Sequence, residues 1–418
     1  MSHDRNVETA RIETERDQSN PPQQLLDISD LSVTFPSQEG PVEAVTDVSL
    51  SIEPGETVGL VGESGSGKSV TAATILGLLE ESARIDGSVE FDDQQLLTKT
   101  DDELREIRGD RISMIFQETG SSLNPVLTVG DQISETIRTH RSIPNEGISR
   151  LETSVLGNLL RSKSHPTNYE RSWEQTVELF ERVGIPAPEQ RALEYPHEYS
   201  GGMKQRAMIA MAISCRPDLL IADEPTTALD VTIEAQILDL IDEVQAEFDT
   251  AVLFITHDMG VVNEICDRVA VMYAGRVVER APTDELFAHP KHPYTQALLD
   301  SIPSLEGGQT LDPLAGQVPD PTDKPPGCPF GPRCPSATAC CDARFPPEYP
   351  VTTADEPLPV REGGDDDVPS PRRNDPTGHA VHCVLYGSGD GLAPRRSPSD
   401  EDRQNADRGR PETDGGEP

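Results

Sequence analysis

The residues from Leu60 to Ser69 read Leu-Val-Gly-Glu-Ser-Gly-Ser-Gly-Lys-Ser, and Gly62, Gly67, Lys68 and Ser69 satisfy the spacing G-x-x-x-x-G-K-[ST]. Residues of these types at this spacing cradle nucleotide phosphates. Glycines let backbone N–H groups face the phosphates where a side chain would intrude. The lysine brings a point charge to the β and γ phosphates, and the serine hydroxyl faces Mg²⁺. The phosphate-binding set therefore runs through Gly62, Glu63, Ser64, Gly65, Ser66, Gly67, Lys68, Ser69 and Val70. Thr57–Val61 reads as a buried strand entering the loop, and Ser69–Leu79 as a helix whose N-terminus favours an anion. The stretch predicts binding of ATP or GTP.

Four more polar residues end short apolar runs. Gln117 follows Arg111–Phe116, Asp223 and Glu224 follow Leu219–Ala222, and His257 follows Ala251–Thr256. In an open α/β sheet, ligands bind beyond the C-terminal ends of the strands. Asp223 is placed to hold Mg²⁺, and Glu224 to act as general base for an attacking water. Gln117 could touch the metal or that water, and His257 could reach the γ-phosphate or hold the water in line.

The elements around these residues alternate. Leu25–Phe35, Val45–Ile52 and Gly87–Phe91 read as strands, Leu96–Arg108 as a polar helix, and Thr128–Arg191 as a helical region. His140–Trp173 within it carries little regular signal and reads as an insertion. Ala207–Cys215 and Ile233–Phe248 read as helices. Val269–Tyr273 and Arg276–Glu279 form a hairpin across Ala274-Gly275. Strands alternating with helices around a phosphate loop predict an α/β fold with a mainly parallel sheet. Residues 1–24, and residues 388–418 with almost no apolar content, are expected to be disordered.

The chain has 418 residues and a formal net charge of −39. The tails do not account for it, because residues 25–302 hold 21 basic against 48 acidic residues. Only six of the basic residues are lysines. Such a surface suits molar salt, where screening removes self-repulsion, and a halophilic source is expected. It argues against a nucleic-acid partner, which needs clustered Lys and Arg. No apolar leader and no run of 18 apolar residues is present, so a cytoplasmic protein that docks on a membrane partner is expected.

Five of the seven cysteines fall between Cys328 and Cys383. Disulfides are rare in the cytoplasm, so clustered thiols there suggest a metal or an iron–sulfur centre. Their spacing does not separate zinc from [4Fe–4S]. Cys215 and Cys266 lie in apolar surroundings and read as core residues.

From about residue 25 to 300 the sequence resembles the ATP-binding subunits of ABC transporters. Ser200-Gly201-Gly202-Met203-Lys204-Gln205 matches their signature, with Tyr199 and Met203 as departures from L-S-G-G-Q. Gln117 matches the Q-loop, Thr227-Ala228-Leu229-Asp230 the D-loop, and His257 the switch histidine. The resemblance implies a P-loop NTPase fold with a helical subdomain at about residues 118–200, and Phe35 stacked on adenine. It implies two ATPase subunits packed head to tail, identical or different. Ser200, Gly201, Gly202 and Asp230 of one would then complete the site of the other. Beyond residue 300, His-Pro-Tyr-Thr-Gln-Ala-Leu-Leu (292–299) and Arg333-Cys334-Pro335 resemble the C-terminal extension of dipeptide and oligopeptide importer ATPases, spanning 301–387. That subfamily implies a [4Fe–4S] cluster on Cys328, Cys334, Cys341 and Cys383, with Cys340 as the spare thiol. It also implies ATP and Mg²⁺ as ligands, two membrane-spanning permease subunits, and indirectly an extracellular solute-binding protein. The chain would sit at the cytoplasmic face of the membrane and hydrolyse ATP to drive peptide import. Nickel chelates or oligosaccharides are alternative cargoes, and a soluble ABC ATPase is a more distant alternative.

Overall fold

The computed structural model describes residues 24–117, 122–141, 168–227, 231–301, 316–357 and 378–387. The segments expected to be disordered, apart from Gln24, lie outside these residues, as do most of the expected insertion and Asp230. Among the described residues no helix is long and apolar enough to cross a membrane.

The chain opens with strands β1 (Leu26–Phe35), β2 (Val42–Ile52) and β3 (Thr57–Val61), then helix α1 (Lys68–Ile75). Strands β4 (Arg84–Phe91) and β5 (Gln94–Gln95), helix α2 (Asp101–Ile107) and strand β6 (Ile112–Ile115) follow. Next come helices α3 (Val129–His140), α4 (Asn168–Arg182), α5 (Pro188–Arg191) and α6 (Gly201–Ile213). Strand β7 (Leu219–Asp223), helix α7 (Val231–Phe248), strand β8 (Ala251–Thr256) and helix α8 (Met259–Ile265) lead to the hairpin β9 (Arg268–Tyr273) and β10 (Arg276–Pro282). Helices α9 (Thr283–Ala288), α10 (Pro293–Asp300) and α11 (Cys340–Ala343), with strands β11 (Tyr349–Pro350) and β12 (Ala380–Val381), complete the described chain.

Two sheets result. β2-β1-β4-β5 is antiparallel, and the larger sheet runs β11-β12-β10-β9-β3-β8-β7-β6, parallel from β9 to β6. Strands β3, β7 and β8 are buried at every position and apolar except for one terminal residue each, Thr57, Asp223 and Thr256, as strands covered on both faces should be. The last two strands extend this sheet: Val381 and Ala380 pair with Glu279 and Arg280, and Tyr349 pairs with Val381. Phe330, Tyr349 and Val384 share one apolar core with Val61, Ala222 and Phe254.

Three elements differ from the sequence reading. The polar helix spans Asp101–Ile107 rather than beginning at Leu96, because Thr100 and Glu103 form a reciprocal capping box that fixes its start. The phosphate-loop helix ends at Ile75, and Gly77 at φ +59° leaves the helical region. Trp173, expected inside an irregular insertion, lies in α4. The buried face of that helix is Ser172, Thr176 and Phe180, so two of its three inward positions carry no hydrophobic signal.

Candidate active site

Strand register assembles the site. In the parallel sheet Val61 pairs with Thr256, Asp223 with Ile255, and Ile115 with Ala222. The residues just beyond these partners therefore emerge along one edge, which brings the phosphate loop, His257, Asp223-Glu224 and Gln117 side by side.

The phosphate loop is shaped by close approach. Gly62 has φ +155°, and a Cβ there would lie 2.0 Å from the Met272 carbonyl oxygen. Gly67, at φ +105°, would meet the Ala44 carbonyl at 2.6 Å. Inside the loop Lys68 Nζ donates to the carbonyls of Gly62 (2.7 Å) and Glu63 (3.0 Å). Burial pulls the Lys68 ammonium below the ordinary lysine value, while the carboxylates of Glu224, Asp223 and Glu63 oppose this. Phe35 sits one strand pair away. It ends β1 opposite Val42, on the strand whose Ala44 carbonyl touches the loop.

Glu224 is held at both carboxylate oxygens. Its Oε2 accepts from Gln117 Nε2 at 2.8 Å and from Thr227 Oγ1 at 2.9 Å, and its Oε1 lies 3.2 Å from His257 Nδ1. Burial raises its pKa, but the Thr227 and His257 contacts outweigh this and hold it below the ordinary glutamate value. The Glu224 backbone has φ +48° and its N–H donates to the Ile255 carbonyl. A non-glycine residue in the left-handed region costs about 1–3 kcal/mol and persists only where the surroundings over-determine it. Asp223 is buried, and that burial raises its pKa against a hydrogen bond with Ser69. Its Oδ1 is buried without a hydrogen-bond partner, as a carboxylate oxygen suited to a cation would be.

The signature residues lie elsewhere on the surface. Ser200 caps α6, accepting from the Met203 N–H at 3.3 Å, and a Cβ on Gly201 would meet nothing within 4 Å. Gln205, one turn into α6, donates to the Pro225 carbonyl, which ties this helix to the Asp223-Glu224 strand end.

Two features carry no sequence signal. Thr227 belongs to the motif over 227–230, yet its hydroxyl also grips Glu224. Tyr294 and Arg333 reach the phosphate loop at Glu63 from 231 and 270 residues away, a separation that leaves no local signal. None of the seven cysteines, all of them among the described residues, forms a disulfide. Cys328, Cys341 and Cys383 are buried, and burial pushes the Cys328 thiol up to about 12 and that of Cys383 well above the usual range. Cys215 and Cys266 are buried in the core as expected. Among the described residues no group of three or more His, Cys, Asp or Glu is arranged to hold a metal ion.

The ABC transporter family model matches residues 45–227, and that of the oligopeptide/dipeptide transporter C-terminal region matches residues 278–341. Over 320 residues the chain is 47% identical to the oligopeptide transport ATP-binding protein AppD of Bacillus subtilis (strain 168), covering 76% of this chain and 90% of that one. The chain belongs to the ATP-binding proteins of the oligopeptide/dipeptide ABC transporter family. OppD of Escherichia coli (strain K12) is 44% identical over 343 residues, covering 82% and 94% of the two chains. The dipeptide transport protein DppD of Bacillus subtilis is 45% identical over 327 residues, covering 78% and 90%. Among solved structures, the ATP-binding cassette MJ0796 in a dimeric post-hydrolysis state bound to ADP and Pi aligns with TM-score 0.52 and 26% identity. That alignment covers 62% of this chain and 98% of the cassette. The P-loop ABC cassette fold expected from the sequence is the fold of this family member.

Proposed function

We propose that this chain is the ATP-hydrolysing subunit that energises a dipeptide or oligopeptide importer from the cytoplasmic face of the membrane. In this reading it pairs with a second ATPase subunit, engages two permease subunits, and is served by an extracellular solute-binding protein. The observation that carries it is the strand-end row of phosphate loop, Asp223-Glu224, His257 and Gln117 in a chain that continues into the importer-type extension.

In the proposed mechanism the loop from Gly62 to Val70 wraps the phosphates, Lys68 leaves its carbonyl partners to neutralise them, and Phe35 stacks on the adenine. Ser69, Asp223 and Gln117 are the residues suited to Mg²⁺, which when bound neutralises charge developing on the phosphates. Glu224, ionised at neutral pH, takes the proton of the attacking water. Gln117 and His257 orient that carboxylate through the contacts given above, and His257 also faces the γ-phosphate. The exposed Ser200-Gly201-Gly202 end of α6, with Asp230, is assigned to the partner's ATP, because a helix N-terminus is an anion site. The proposed division is an ATP-binding domain over 25–300, with its helical subdomain at about 118–200, and an extension over 301–387.

We also propose that Cys328, Cys334, Cys341 and Cys383 hold a [4Fe–4S] cluster. Two observations support the donor set. Each of Cys328, Cys334 and Cys341 adds to the electrostatic load on the Cys383 thiol. Backbone N–H groups of Phe330, Gly331, Leu385 and Thr338 point at the sulfurs of Cys328, Cys383 and Cys341, the donors that tune thiolate ligands. Four irons and labile sulfide per chain after anaerobic purification are expected; stoichiometric zinc would replace the cluster with a zinc site. The carboxylate-rich surface supports work in molar salt.

The test of the transport reading is an affinity pull-down from native membranes in molar KCl without oxygen. Two permease subunits and a peptide-loaded binding protein are expected. A sugar or nickel chelate on that binding protein would replace the cargo, and no membrane subunit at all would overturn the importer role.

A further inference from the structure

Glu63, the second residue of the phosphate loop, is held at every polar group it has. Its carbonyl accepts from Lys68 Nζ at 3.0 Å, and its N–H donates to the Tyr294 hydroxyl at 2.9 Å. Its carboxylate accepts from Arg333 Nη1, at 3.2 Å to Oε1 and 3.0 Å to Oε2. Two of these three handles come from outside the loop's own strand-loop-helix unit. Tyr294 is on α10, and Arg333 lies in the turn between Cys328 and Cys334.

Both handles are built rigidly. The Arg333 side chain is only 6% exposed, and the same Nη1 donates to the Tyr273 hydroxyl at 3.1 Å. The guanidinium stands over the rings of Tyr273 and Phe330. Tyr273, Tyr294 and Phe330 pack mutually, with ring centroids 4.6, 5.3 and 5.4 Å apart. Tyr273 follows Met272, whose carbonyl lies against Gly62 and whose side chain lies against Gly67. The turn that carries Arg333 closes through Gly331 N–H to Cys328 O and Cys334 N–H to Gly331 O. A tyrosine and an arginine locked this firmly restrict where the Glu63 backbone can go, and the Glu63 carbonyl in turn positions Lys68 before nucleotide arrives.

We propose that Arg333 and Tyr294 are positioning residues of the ATP site, through which the C-terminal extension braces the phosphate-binding loop at Glu63. The inference rests on the assignment of Gly62–Val70 as the phosphate loop. Neither residue touches ATP in this proposal; each acts by holding Glu63. Loss of the brace frees the loop to sample positions that bind phosphate poorly, so the competent fraction falls and apparent affinity falls with it. The step that follows binding is carried by Glu224, on another strand end, and keeps its rate.

The experiment measures ATP hydrolysis against ATP concentration in the assembled transporter. Arg333→Gln keeps an unbranched polar side chain, shorter than arginine's, and removes its charge. The expected result is a KM for ATP raised about five- to tenfold with kcat within about twofold, the signature of lost binding alone. Glu63→Gln should match it. The double variant should be no worse than either single, because both remove one interaction. Arg333→Lys should recover part of the affinity. Tyr294→Phe keeps the aromatic cluster and deletes one acceptor, and should raise KM about threefold; it also serves if Arg333→Gln does not fold. An unchanged KM in both Arg333→Gln and Tyr294→Phe overturns the proposal. So does an Arg333→Gln effect that is undiminished in the Glu63→Gln background, since the arginine would then act only on the extension's own stability. Lys68→Ala, measured alongside, separates the two readings: retained ATP affinity there would refute the phosphate-loop assignment itself, whereas its loss with a normal KM in both Arg333→Gln and Tyr294→Phe refutes the brace alone.

Discussion

Replacing Glu224 with Gln is the sharpest perturbation of the proposed chemistry, because the geometry predicts what survives as well as what is lost. The carboxylate has three neighbours. Gln117 and Thr227 donate to Oε2, while His257 Nδ1 faces Oε1. An amide of the same shape can keep its oxygen toward Gln117 and Thr227 and turn its NH₂ toward His257 Nδ1. All three contacts are then retained, and stability should change by less than about 1 kcal/mol. What disappears is the proton acceptor. A positioned general base is worth roughly 10²–10⁴ in rate, or about 3 to 5 kcal/mol of barrier, so kcat should fall by that factor. ATP affinity should hold, because the substitution removes a negative charge near Lys68 and Asp223 without touching the phosphate loop. Steady-state hydrolysis with direct nucleotide binding on the same preparation checks both halves. A fall in kcat of less than about tenfold would remove Glu224 as base. A matching loss of ATP affinity and melting temperature would show that the residue supports the site's fold instead. The wild-type pH profile adds a second check. Glu224 is held below the ordinary glutamate value of 4.5, so it stays ionised and adds no acid limb between about pH 6 and 8.

Ser200→Arg puts a bulky cation at the exposed N-terminus of α6 and should abolish ATP-dependent pairing of ATPase subunits while leaving nucleotide binding to the single chain intact; sedimentation with ATP tests this, and normal pairing would contradict capping by the partner. Gly62→Ala places a Cβ 2.0 Å from the Met272 carbonyl at φ +155°, so the loop must shift and ATP affinity should drop at least tenfold by roughly the strain of such a position; near-normal affinity would mean that β9 yields easily. His292 is buried, its Nδ1 accepts the Tyr294 N–H, and burial lowers its pKa from 6.5 to about 3. The unfolded chain therefore binds a proton that the folded chain refuses between those values. Stability should be full above pH 6.5 and should fall below it with a slope approaching about 1.4 kcal/mol per pH unit from this group. Denaturant titrations at pH 7, 6 and 5 should show a shallower acid loss in His292→Asn, and an unchanged slope would assign the loss to other groups.

What the sequence displays, and what it conceals, divides along one physical line. Gln117, Asp223, Glu224 and His257 can be found by inspection because each ends an apolar run, and a parallel strand buried on both faces has no other way to present a polar side chain than at its end. The phosphate loop is legible for a related reason, since glycine at Gly62 and Gly67 is demanded by contacts that any Cβ would violate. Helix α4 is obscure because Ser172 and Thr176 face inward. Their hydroxyls are satisfied there by Ser134 and by main-chain carbonyls, so burial does not require hydrophobic residues. The hold of Thr227 on Glu224 depends on the turn after β7, which no residue spacing encodes. The contacts of Tyr294 and Arg333 with Glu63 depend on more: they exist only because β9 lies beside β3, so that Tyr273 can carry the aromatic cluster to the loop's flank. Local residue types thus identify the groups proposed to meet the nucleotide, whereas the stiffness with which those groups are held is set by strand order. For that reason substitutions in the extension, far along the chain from the phosphate loop, should change ATP affinity before they change the rate of the chemical step.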